Sequence, residues 1–430
     1  MDERFLYHIW DAGHLLTPLK TVSGQDLQVS YQGQFNTDRG PDFHNAIITL
    51  NGEIQQGDVE IHINGYDWIA HEHHDDPHYN KVILHVVMNA GNQIRTIKEN
   101  GETVEILELK DQLSDEIRKL LKEATFTPDA NPADYCDLLS AIDNDTLVST
   151  LTAWGLRRFR NKVRRFNAAL LMSGFDQVLY EGIMEALGYE KNKQNMLSLA
   201  QALPLQQIRD WQSDGLTALQ LVAILTCASG LLDKCPRQLD GAVYHLIHSN
   251  YEEQIFYAQK LPIEWRLFRI RPGSHPLFRL FALAGLLHRT RHQGLLQLLL
   301  NETTFNDTDS QAAFRSFMQA FRGSPLPGAE KLPKPGRSLI ATIYINIFLP
   351  ISYMYYDKHA DSEAQKRILQ YYAEFPALQE NHITRYMSRY LSASHNQMVN
   401  RRSVLQQGLI ELFHRYCHYH LCTECAAARV

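Results

Sequence analysis

The stretch Gly40–Ile63, GPDFHNAIITLNGEIQQGDVEIHI, contains the signals that decide the fold of the N-terminal region. Asn51–Gly52 lies between two apolar runs, which is a strong signal for a β-hairpin. In the second run alternate residues are apolar and line one face of a predicted strand, while Glu60 and His62 share the other face. A core strand that carries an acid and an imidazole side by side, soon after Asp42, points to a functional site.

Further elements are predicted on both sides of this hairpin. A helix is predicted over Glu3–Leu16, and strands over Leu27–Tyr31, Ala46–Leu50, Asp58–Ile63, Lys81–Met88 and Thr103–Leu107. Within the fourth of these strands the run VILHVV is almost continuously apolar, as is typical of a central strand covered on both faces. Residues 1–110 are therefore predicted to form a mixed α/β (or α+β) domain.

The pattern changes after residue 110, where apolar residues recur at the three- and four-residue spacing of helices. We predict a connecting helix and linker over residues 111–135 and a large, mostly α-helical domain over residues 136–430. The chain's 430 residues are enough for two or three domains.

Composition excludes several classes of protein. With 44% hydrophobic and 21% charged residues the chain is typical of a soluble globular protein, and its net charge of −6 excludes a globally basic nucleic-acid coat but allows a local basic groove. Six cysteines are too few for a disulfide scaffold, and the N-terminus has no secretory signal, so a cytoplasmic location is expected. The apolar run Ser338–Tyr356 is interpreted as a buried helix kinked or broken at Pro350, with no membrane partner.

The element order of the first 110 residues resembles the core of the PD-(D/E)XK nuclease superfamily, the restriction-endonuclease-like fold. The likeness rests on Pro41–Asp42 opening one strand, Glu60-x-His62 in the next, a crossover rich in His and Asp, and the buried strand that follows. It implies that Asp42 and Glu60 hold a divalent cation, Mg²⁺ or Mn²⁺. It also implies that the residue two positions after the Glu helps to position or activate water.

His62 stands where that superfamily usually has Lys. A neutral imidazole can accept a proton from water but supplies no fixed positive charge. Either water is activated differently in this chain, with Asp42, Glu60 and His62 as the catalytic residues, or nuclease activity has been lost.

A second resemblance covers nearly the whole chain. The segments GPDF, GDVEIH, the DW–H–H–D–Y stretch ending in VILHVV, WGLRRFRNK, GYEKNK and the C-terminal cysteines resemble domain-of-unknown-function family 2851, a bacterial family. This resemblance implies no particular activity.

The crossover segment HEHHDDPH offers His71, His73, His74, Asp75, Asp76 and His78 in eight positions. Imidazole with carboxylate suits Zn²⁺ or Mn²⁺, so His71 and His73 are predicted metal ligands together with Asp42 and Glu60. The alternatives are a solvated loop, a hydrogen-bonded core histidine at His85, and a polar outer face of an edge strand for Glu60 and His62.

Trp154–Phe166, WGLRRFRNKVRRF, has an apolar stripe at helical spacing and six basic residues without an acid. Such a helix can present positive charge to phosphates, so Arg157, Arg158, Lys162 and Arg165 are predicted to contact the backbone of DNA or RNA. The alternative is a solvated face that pairs with acids elsewhere in the chain.

The C-terminal segment YCHYHLCTEC places Cys417, Cys422 and Cys425 in C-x4-C-x2-C spacing. These thiols are predicted to bind a structural Zn²⁺, with His420 as a candidate fourth ligand, or an iron–sulfur cluster with a distant fourth cysteine. The candidates for that cysteine are Cys136, Cys227 and Cys235.

Three functions are compatible with these patterns. The first is a metal-dependent phosphodiesterase of nuclease type acting on nucleic acid. The second is a non-catalytic scaffold that binds nucleic acid or protein through a degenerate nuclease fold. The third is a zinc-dependent hydrolase of a small substrate that uses the histidines of the crossover.

Overall fold

The computed structural model describes residues 3–113, 117, 136–234, 247, 260–303, 305, 309–322, 326, 332–419 and 425. Most of the predicted connecting segment 111–135 lies outside these residues, as do the candidate ligands Cys235, His420 and Cys422. The chain divides into two compact units. The first comprises Met1–Met172, Glu380–Val399 and Leu405–Val430, and the second comprises Ser173–Gln379 and Asn400–Val404.

The first unit is built on an eight-stranded mixed sheet. Its strands are β1 (Leu19–Lys20), β2 (Asp26–Tyr31), β3 (Gln34–Phe35), β4 (Phe43–Leu50), β5 (Glu53–Asn64), β6 (Val82–Asn89), β7 (Arg95–Ile97) and β8 (Thr103–Glu108). The order is β1-β2-β4-β5-β6-β8-β7, with β3 paired to β4. Strands β5, β6 and β8 are parallel, and the other pairs are antiparallel. The prediction of a mixed N-terminal region of strands and helix, followed by a mostly helical region, is confirmed.

The hairpin between β4 and β5 turns at Asn51–Gly52, as predicted. Both residues have positive φ, 48° and 86°, which a two-residue type I′ turn requires. The resulting register pairs Leu50 with Glu53 and, at the far end, Phe43 with Val59. The beginning of β4, and with it Asp42, therefore lies beside the middle of β5.

The main core of this unit lies between helix α1 (Glu3–Ala12) and the sheet. Phe5, Ile9 and Trp10 of α1 are buried in one cluster with Val59 and Ile61 of β5. The predicted apolar face of β5 thus packs against α1. Strand β6 lies between β5 and β8, as expected for its nearly continuous apolar run.

The crossover from β5 to β6 is compact and irregular. It contains the short helix α2 (Asp67–Ala70) and two 3₁₀ turns, His73–Asp75 and Pro77–Tyr79. Trp68 and Tyr79 are buried in a second, smaller cluster with Val82 and Val104. The crossover is therefore anchored to the sheet face opposite α1 by its two large aromatic side chains.

The rest of the described chain is mostly helical. Its helices are α3 (Asp137–Ala141), α4 (Asn144–Ala169), α5 (Phe175–Leu187), α6 (Tyr189–Ala202), α7 (Leu205–Ser213), α8 (Ala218–Ser229), α9 (Pro276–Arg289), α10 (Leu295–Glu302), α11 (Ser310–Arg322), α12 (Arg337–Ile343), α13 (Leu349–Lys358), α14 (Ser362–Glu374), α15 (His382–Met387), α16 (Ala393–Val399) and α17 (Ser403–Arg415).

One helical segment, Arg337–Lys358, is long and apolar enough to cross a membrane. However, 72% of its most apolar window is buried inside the protein, which is typical of a core helix. The expected interruption at Pro350 is a π-helical turn, Tyr344–Phe348, between α12 and α13. Because proline has no N–H to donate, the wider turn before it lets the helix continue without a break. A cytoplasmic location stays a prediction.

Candidate metal centre

Strand β5 places Glu60 and His62 on the sheet face that the crossover covers. Because β5 is central, between β4 and β6, neither side chain reaches bulk solvent: Glu60 is 5% exposed and His62 is 1% exposed. The alternative of a polar outer face on an edge strand is therefore wrong. A buried acid and imidazole need specific partners, since burial of an unpaired polar group costs free energy.

Asp42 and Glu60 form one hydrogen-bonded unit across β4 and β5. The Asp42 backbone N–H donates to Glu60 Oε2 at 3.0 Å, and the Ile61 N–H donates to Asp42 Oδ2 at 2.9 Å. The Tyr7 hydroxyl of α1 also hydrogen-bonds the Asp42 side chain. The two predicted acids are thus brought together. Asp42 holds the Glu60 side chain through its backbone N–H and the Ile61 backbone through its carboxylate.

Burial raises the pKa of both carboxyl groups. Desolvation is the main cause for Asp42, whose pKa lies well above its usual value, and the negative charge of Glu60 raises it further. Burial raises the pKa of Glu60 to about 8, although the hydrogen bond from Asp42 opposes this shift. Two acids held this close in an apolar setting favour either a proton or a nearby cation.

Three imidazoles converge beside Glu60. His62 Nε2 lies 3.2 Å from His71 Nδ1, and Glu60 Oε1 lies 3.2 Å from His73 Nε2 and 3.5 Å from His62 Nε2. The ligand atoms of His62, His71 and His73 all lie within 4.8 Å of one another. Burial and the neighbouring His85, His73 and His71 lower the pKa of His62 to about 2, so this ring is neutral. Neutral imidazoles offer the lone pairs that borderline metals bind.

The backbone of the crossover directs His71 and His73 toward this point. His71 follows the end of α2 and His73 begins the first 3₁₀ turn, with Glu72 between them at φ 62°. A left-handed conformation is uncommon for a residue other than glycine and often marks functional sites. Tyr79 stacks on the His73 ring at 3.9 Å, and Trp68 meets it edge-on at 5.5 Å.

Two side chains behind the cluster were not predicted to belong to it. His85 of β6 is fully buried, and its Nε2 lies 2.9 Å from His62 Nδ1, while its Nδ1 lies 2.8 Å from Thr96 Oγ1. The histidine inside the apolar run VILHVV was the available signal, since a buried imidazole needs partners. Thr96 gave no signal, because only the pairing of β7 with β8 brings it near.

The other polar residues of the crossover have local roles. Asp76 pairs with Arg39 at 2.8 Å and with His78 at 2.7 Å, and His74 lies 3.3 Å from Asp75. These contacts match the predicted alternative of a solvated loop. Of the histidines in HEHHDDPH, the structure brings His71 and His73 into the cluster.

The predicted nucleic-acid contacts lie on helix α4, in the same unit. Arg158 Nε donates to Gln407 at 2.8 Å and Nη1 lies 3.4 Å from Glu411, so this charge is used within the unit. Arg157 and Arg165 lie over the rings of the neighbouring residues Trp154 and Phe166. Lys162 is partly buried. A role of these four residues in phosphate binding stays a prediction.

Two of the three C-terminal thiols are described, those of Cys417 and Cys425. Burial and Tyr386 raise the pKa of the Tyr390 hydroxyl, and the charges of Cys136 and Cys417 raise it further. Cys136 and Cys417 both belong to the first unit, whereas Cys227 is buried in α8 of the second unit.

These observations define a two-unit protein in which a mixed α/β unit holds a partly buried cluster of histidines and carboxyl groups, followed by a mostly helical region. The chain belongs to the family described as protein of unknown function, DUF2851, whose family model matches residues 3–382. The broader of the two sequence resemblances is therefore confirmed. No curated protein and no solved structure matches the chain. The likeness to the PD-(D/E)XK core stays a prediction.

Proposed function

We propose that this protein is a metal-dependent phosphodiesterase of nuclease type that acts on nucleic acid. The observation that carries the proposal is the contact of Asp42 with Glu60 across β4 and β5, together with that of Glu60 with His62 on β5. These are the three residues to which the resemblance to PD-(D/E)XK nucleases assigns catalysis. Hydrolysis of a phosphodiester needs a cation, a water and a proton acceptor at one point. The cluster offers an acceptor, Glu60 Oε1, within 3.5 Å of two imidazole nitrogens, those of His62 and His73.

The contacts favour a division of roles between the two acids. Asp42 already accepts from the Ile61 N–H and the Tyr7 hydroxyl, so we assign it the positioning of Glu60. Glu60 Oε1 faces the imidazoles, and a pKa of about 8 is close to the working pH that suits a proton acceptor. His62 is a poor base with a pKa of about 2, so we assign it a holding role.

In the proposed reaction, water attacks phosphorus and one of its protons passes to Glu60 Oε1. The bond from phosphorus to the leaving sugar oxygen breaks, and that oxygen takes up a proton from bulk water, to which Glu60 then returns its own. A cation held at the cluster would supply Lewis-acid polarisation and would lower the pKa of a water that it binds. The basic residues of α4 are the proposed contact for the nucleic-acid backbone.

A second candidate is a zinc-dependent hydrolase of a small substrate. It is favoured by the convergence of His62, His71 and His73, because three imidazoles with a nearby carboxylate are common in zinc hydrolases. The aromatic rings of Trp68 and Tyr79 around the cluster are also compatible with a small site. Substrate range separates this candidate from the first.

The test is cleavage by the metal-stripped full chain after addition of Mg²⁺, Mn²⁺ or Zn²⁺, with end-labelled single- and double-stranded DNA and RNA as substrates. We expect metal-dependent cleavage, which Glu60→Gln lowers about 10²- to 10⁴-fold in kcat by removing the proton acceptor. Asp58→Asn is the matched control. Asp58 is a buried acid on the same strand, and asparagine keeps the oxygen that accepts from the Asn45 N–H.

Three results overturn the nuclease proposal. Absence of cleavage of any nucleic acid with any of the metals contradicts it directly. Hydrolysis of small esters without cleavage of nucleic acid supports the second candidate. Binding of nucleic acid or protein without any hydrolysis supports a scaffold with a degenerate nuclease fold.

A further inference from the structure

We infer that His62, His71 and His73 hold a borderline divalent cation of the Zn²⁺ class, and that His85 and Thr96 fix the tautomer in which His62 can bind it. This deepens the proposed function by naming the metal class and its ligands. It differs from the oxygen-ligated Mg²⁺ site that the nuclease resemblance implies. Its test measures metal binding without substrate, so it can fail or succeed independently of catalysis.

The spacing of the ligand atoms fits such an ion. Two nitrogens at about 2.0 Å from a tetrahedral Zn²⁺ lie about 3.3 Å apart. His62 Nε2 and His71 Nδ1 are 3.2 Å apart, and the third nitrogen, from His73, lies within 4.8 Å of both. The pair from His62 and His71 therefore already has the separation that a tetrahedral ion requires.

Glu60 lies beside these ligands at a useful distance. Its Oε1 is 3.2 Å from His73 Nε2 and 3.5 Å from His62 Nε2. A carboxyl oxygen there reaches a water on the same ion. Three imidazole ligands leave an open position for that water, as in catalytic rather than structural zinc sites.

The donor set selects the metal. Mg²⁺ prefers oxygen ligands in octahedral geometry, whereas imidazole nitrogen suits Zn²⁺, Co²⁺ and their neighbours in the first transition series. One ligand comes from a rigid central strand and two from a turn held by Tyr79 and Trp68. His71 is exposed, so the cluster has a side open to solvent.

The hydrogen bonds behind His62 are consistent with only one tautomer if its Nε2 is a ligand. A free lone pair on Nε2 requires the ring proton on Nδ1, which then donates to His85 Nε2 at 2.9 Å. His85 must then carry its own proton on Nδ1 and donate to Thr96 Oγ1 at 2.8 Å. Each neutral ring uses one proton and each contact has one donor, so the chain from Thr96 to the cluster is complete.

The experiment titrates the metal-stripped full chain with Zn²⁺, Co²⁺ and Mg²⁺ separately. Wild type is expected to bind Zn²⁺ and Co²⁺ more tightly than Mg²⁺, and the Co²⁺ form to show visible ligand-field bands. His71→Ala and His73→Ala are expected to weaken Zn²⁺ binding by more than about 100-fold, since even outer partners of ligands contribute 10- to 100-fold. His74→Ala is the matched control, because His74 lies in the same turn but pairs with Asp75.

The C-terminal thiols are a second predicted zinc site. The zinc bound at the histidine cluster is therefore taken as the amount bound by His74→Ala minus the amount bound by His71→Ala. Thiolate charge-transfer bands mark Co²⁺ at cysteine and are expected to be equal in both variants. Thr96→Val tests the positioning role: it is expected to weaken Zn²⁺ binding about 10-fold and to mix the His62 tautomers in ¹⁵N NMR spectra, while the fold is retained.

Two outcomes overturn the inference. One is unchanged Zn²⁺ and Co²⁺ affinity in His71→Ala and His73→Ala. The other is tighter binding of Mg²⁺ than Zn²⁺ at a site that Glu60→Gln abolishes. Zinc bound as expected but without cleavage of nucleic acid contradicts the proposed function alone, and cleavage with Mg²⁺ by His71→Ala contradicts the inference alone.

Discussion

The carboxyl group of Glu60 is held where burial and hydrogen bonding oppose each other. Burial raises its pKa to about 8, and the N–H of Asp42 opposes that shift by stabilising the charged form. The His62 imidazole beside it is neutral, because burial lowers its pKa, and it supplies no compensating charge. In the absence of a cation, the site therefore favours a protonated Glu60 at neutral pH.

This state makes stability depend on pH. Between 4.5, the usual pKa of a glutamate, and about 8, the folded metal-free protein binds more protons than the unfolded chain, so Glu60's contribution to the free energy of unfolding is lost as pH rises. Glu60→Gln removes that dependence. We expect wild type to lose stability relative to the variant from pH 5 to pH 8 by up to a few kcal/mol, since one pKa unit equals about 1.4 kcal/mol.

Urea unfolding at both pH values, with a chelator present, measures this difference. A difference in unfolding free energy that is the same at pH 5 and pH 8 contradicts the raised pKa of Glu60. Excess Zn²⁺ provides an internal comparison. A cation at the cluster favours the ionised carboxylate, so the expected loss with rising pH becomes smaller.

At the scale of single elements, the turn between α2 and the first 3₁₀ turn depends on one unusual backbone angle. Glu72 has φ 62°, a conformation that costs most residues about 1–2 kcal/mol and glycine almost nothing. That turn sets the directions of His71 and His73. The shape of the crossover is therefore linked to the proposed ligands through a residue whose own side chain is exposed.

Two substitutions of Glu72 are expected to differ from each other in stability and in metal affinity. Glu72→Gly keeps the left-handed conformation, so its unfolding free energy stays within about 1 kcal/mol of wild type, because relief of strain offsets added chain entropy. Glu72→Val disfavours that conformation and is expected to lose at least about 1 kcal/mol and to weaken Zn²⁺ binding. Equal Zn²⁺ affinity in the two variants would show that the turn does not position the histidines.

A close approach of two helices in the first unit provides a second test at this scale. A Cβ added at Gly408 of α17 would overlap the backbone oxygen of Leu151 in α4. Gly408→Ala therefore forces the helices apart and is expected to destabilise the protein by about 1–3 kcal/mol.

Thermal unfolding measures the effect of Gly408→Ala. Gly174→Ala is the control, because nothing lies within 4 Å of the added Cβ and its backbone has no positive φ. That change is expected to shift the unfolding free energy by less than about 1 kcal/mol. Equal stability of the two variants contradicts the tight packing of α4 against α17.

At the scale of the whole molecule, Cys136 and the C-terminal thiols are far apart in the sequence but belong to the same compact unit. Burial and Tyr386 raise the pKa of the Tyr390 hydroxyl, and the charges of Cys136 and Cys417, both in the first unit, raise it further. A metal held by thiols from both segments closes a loop of more than 280 residues. Such a clamp reduces the entropy of the unfolded chain and ties the tail to this unit.

We predict that Cys136 is the fourth ligand of the site at Cys417, Cys422 and Cys425. Cys136→Ser is expected to lose the zinc or iron that Cys425→Ser also loses, as measured by metal analysis of purified protein. Cys227→Ser is the control, since Cys227 is buried in α8 of the second unit and is expected to leave the metal content unchanged. Full metal content in Cys136→Ser contradicts this assignment and favours His420.

The basic side of α4 is the second feature at this scale, because its predicted role requires a nucleic-acid partner. Arg157 and Arg165 are expected to contribute to nucleic-acid affinity if α4 binds the phosphates of the nucleic-acid backbone. Each phosphate contact lowers log K by about 0.9 per unit of log salt, so Arg157→Gln with Arg165→Gln is expected to reduce the slope by about 2. Arg158 is left unchanged, because it binds Gln407 and Glu411 within the unit.

Fluorescence anisotropy of labelled DNA or RNA over a range of salt measures this slope. Arg315→Gln, which removes a charge from a helix of the second unit, is the control and is expected to leave the slope as in wild type. An unchanged slope in the double variant rejects α4 as the phosphate contact and leaves the catalytic proposal to be judged by cleavage.

Local signals in the sequence determined the main elements of the N-terminal unit. Strand alternation placed Glu60 and His62 on one face, and Asn51–Gly52 specified the hairpin turn, because both signals depend only on residues near each other in the chain. The apolar run before and after His85 likewise indicated a central strand. The basic residues of α4 and the spacing of the C-terminal thiols were also recognised in the sequence. The groups that these side chains contact were not.

Tertiary structure alone decided what surrounds the polar face of β5. The crossover covers that face and buries Glu60, the parallel pairing with β6 sets His85 behind His62, and the pairing of β7 with β8 supplies Thr96. A left-handed residue in an irregular turn brings His71 and His73 to the same point. These contacts join segments that are distant in the chain and have no periodicity, so no pattern of neighbouring residues specifies them.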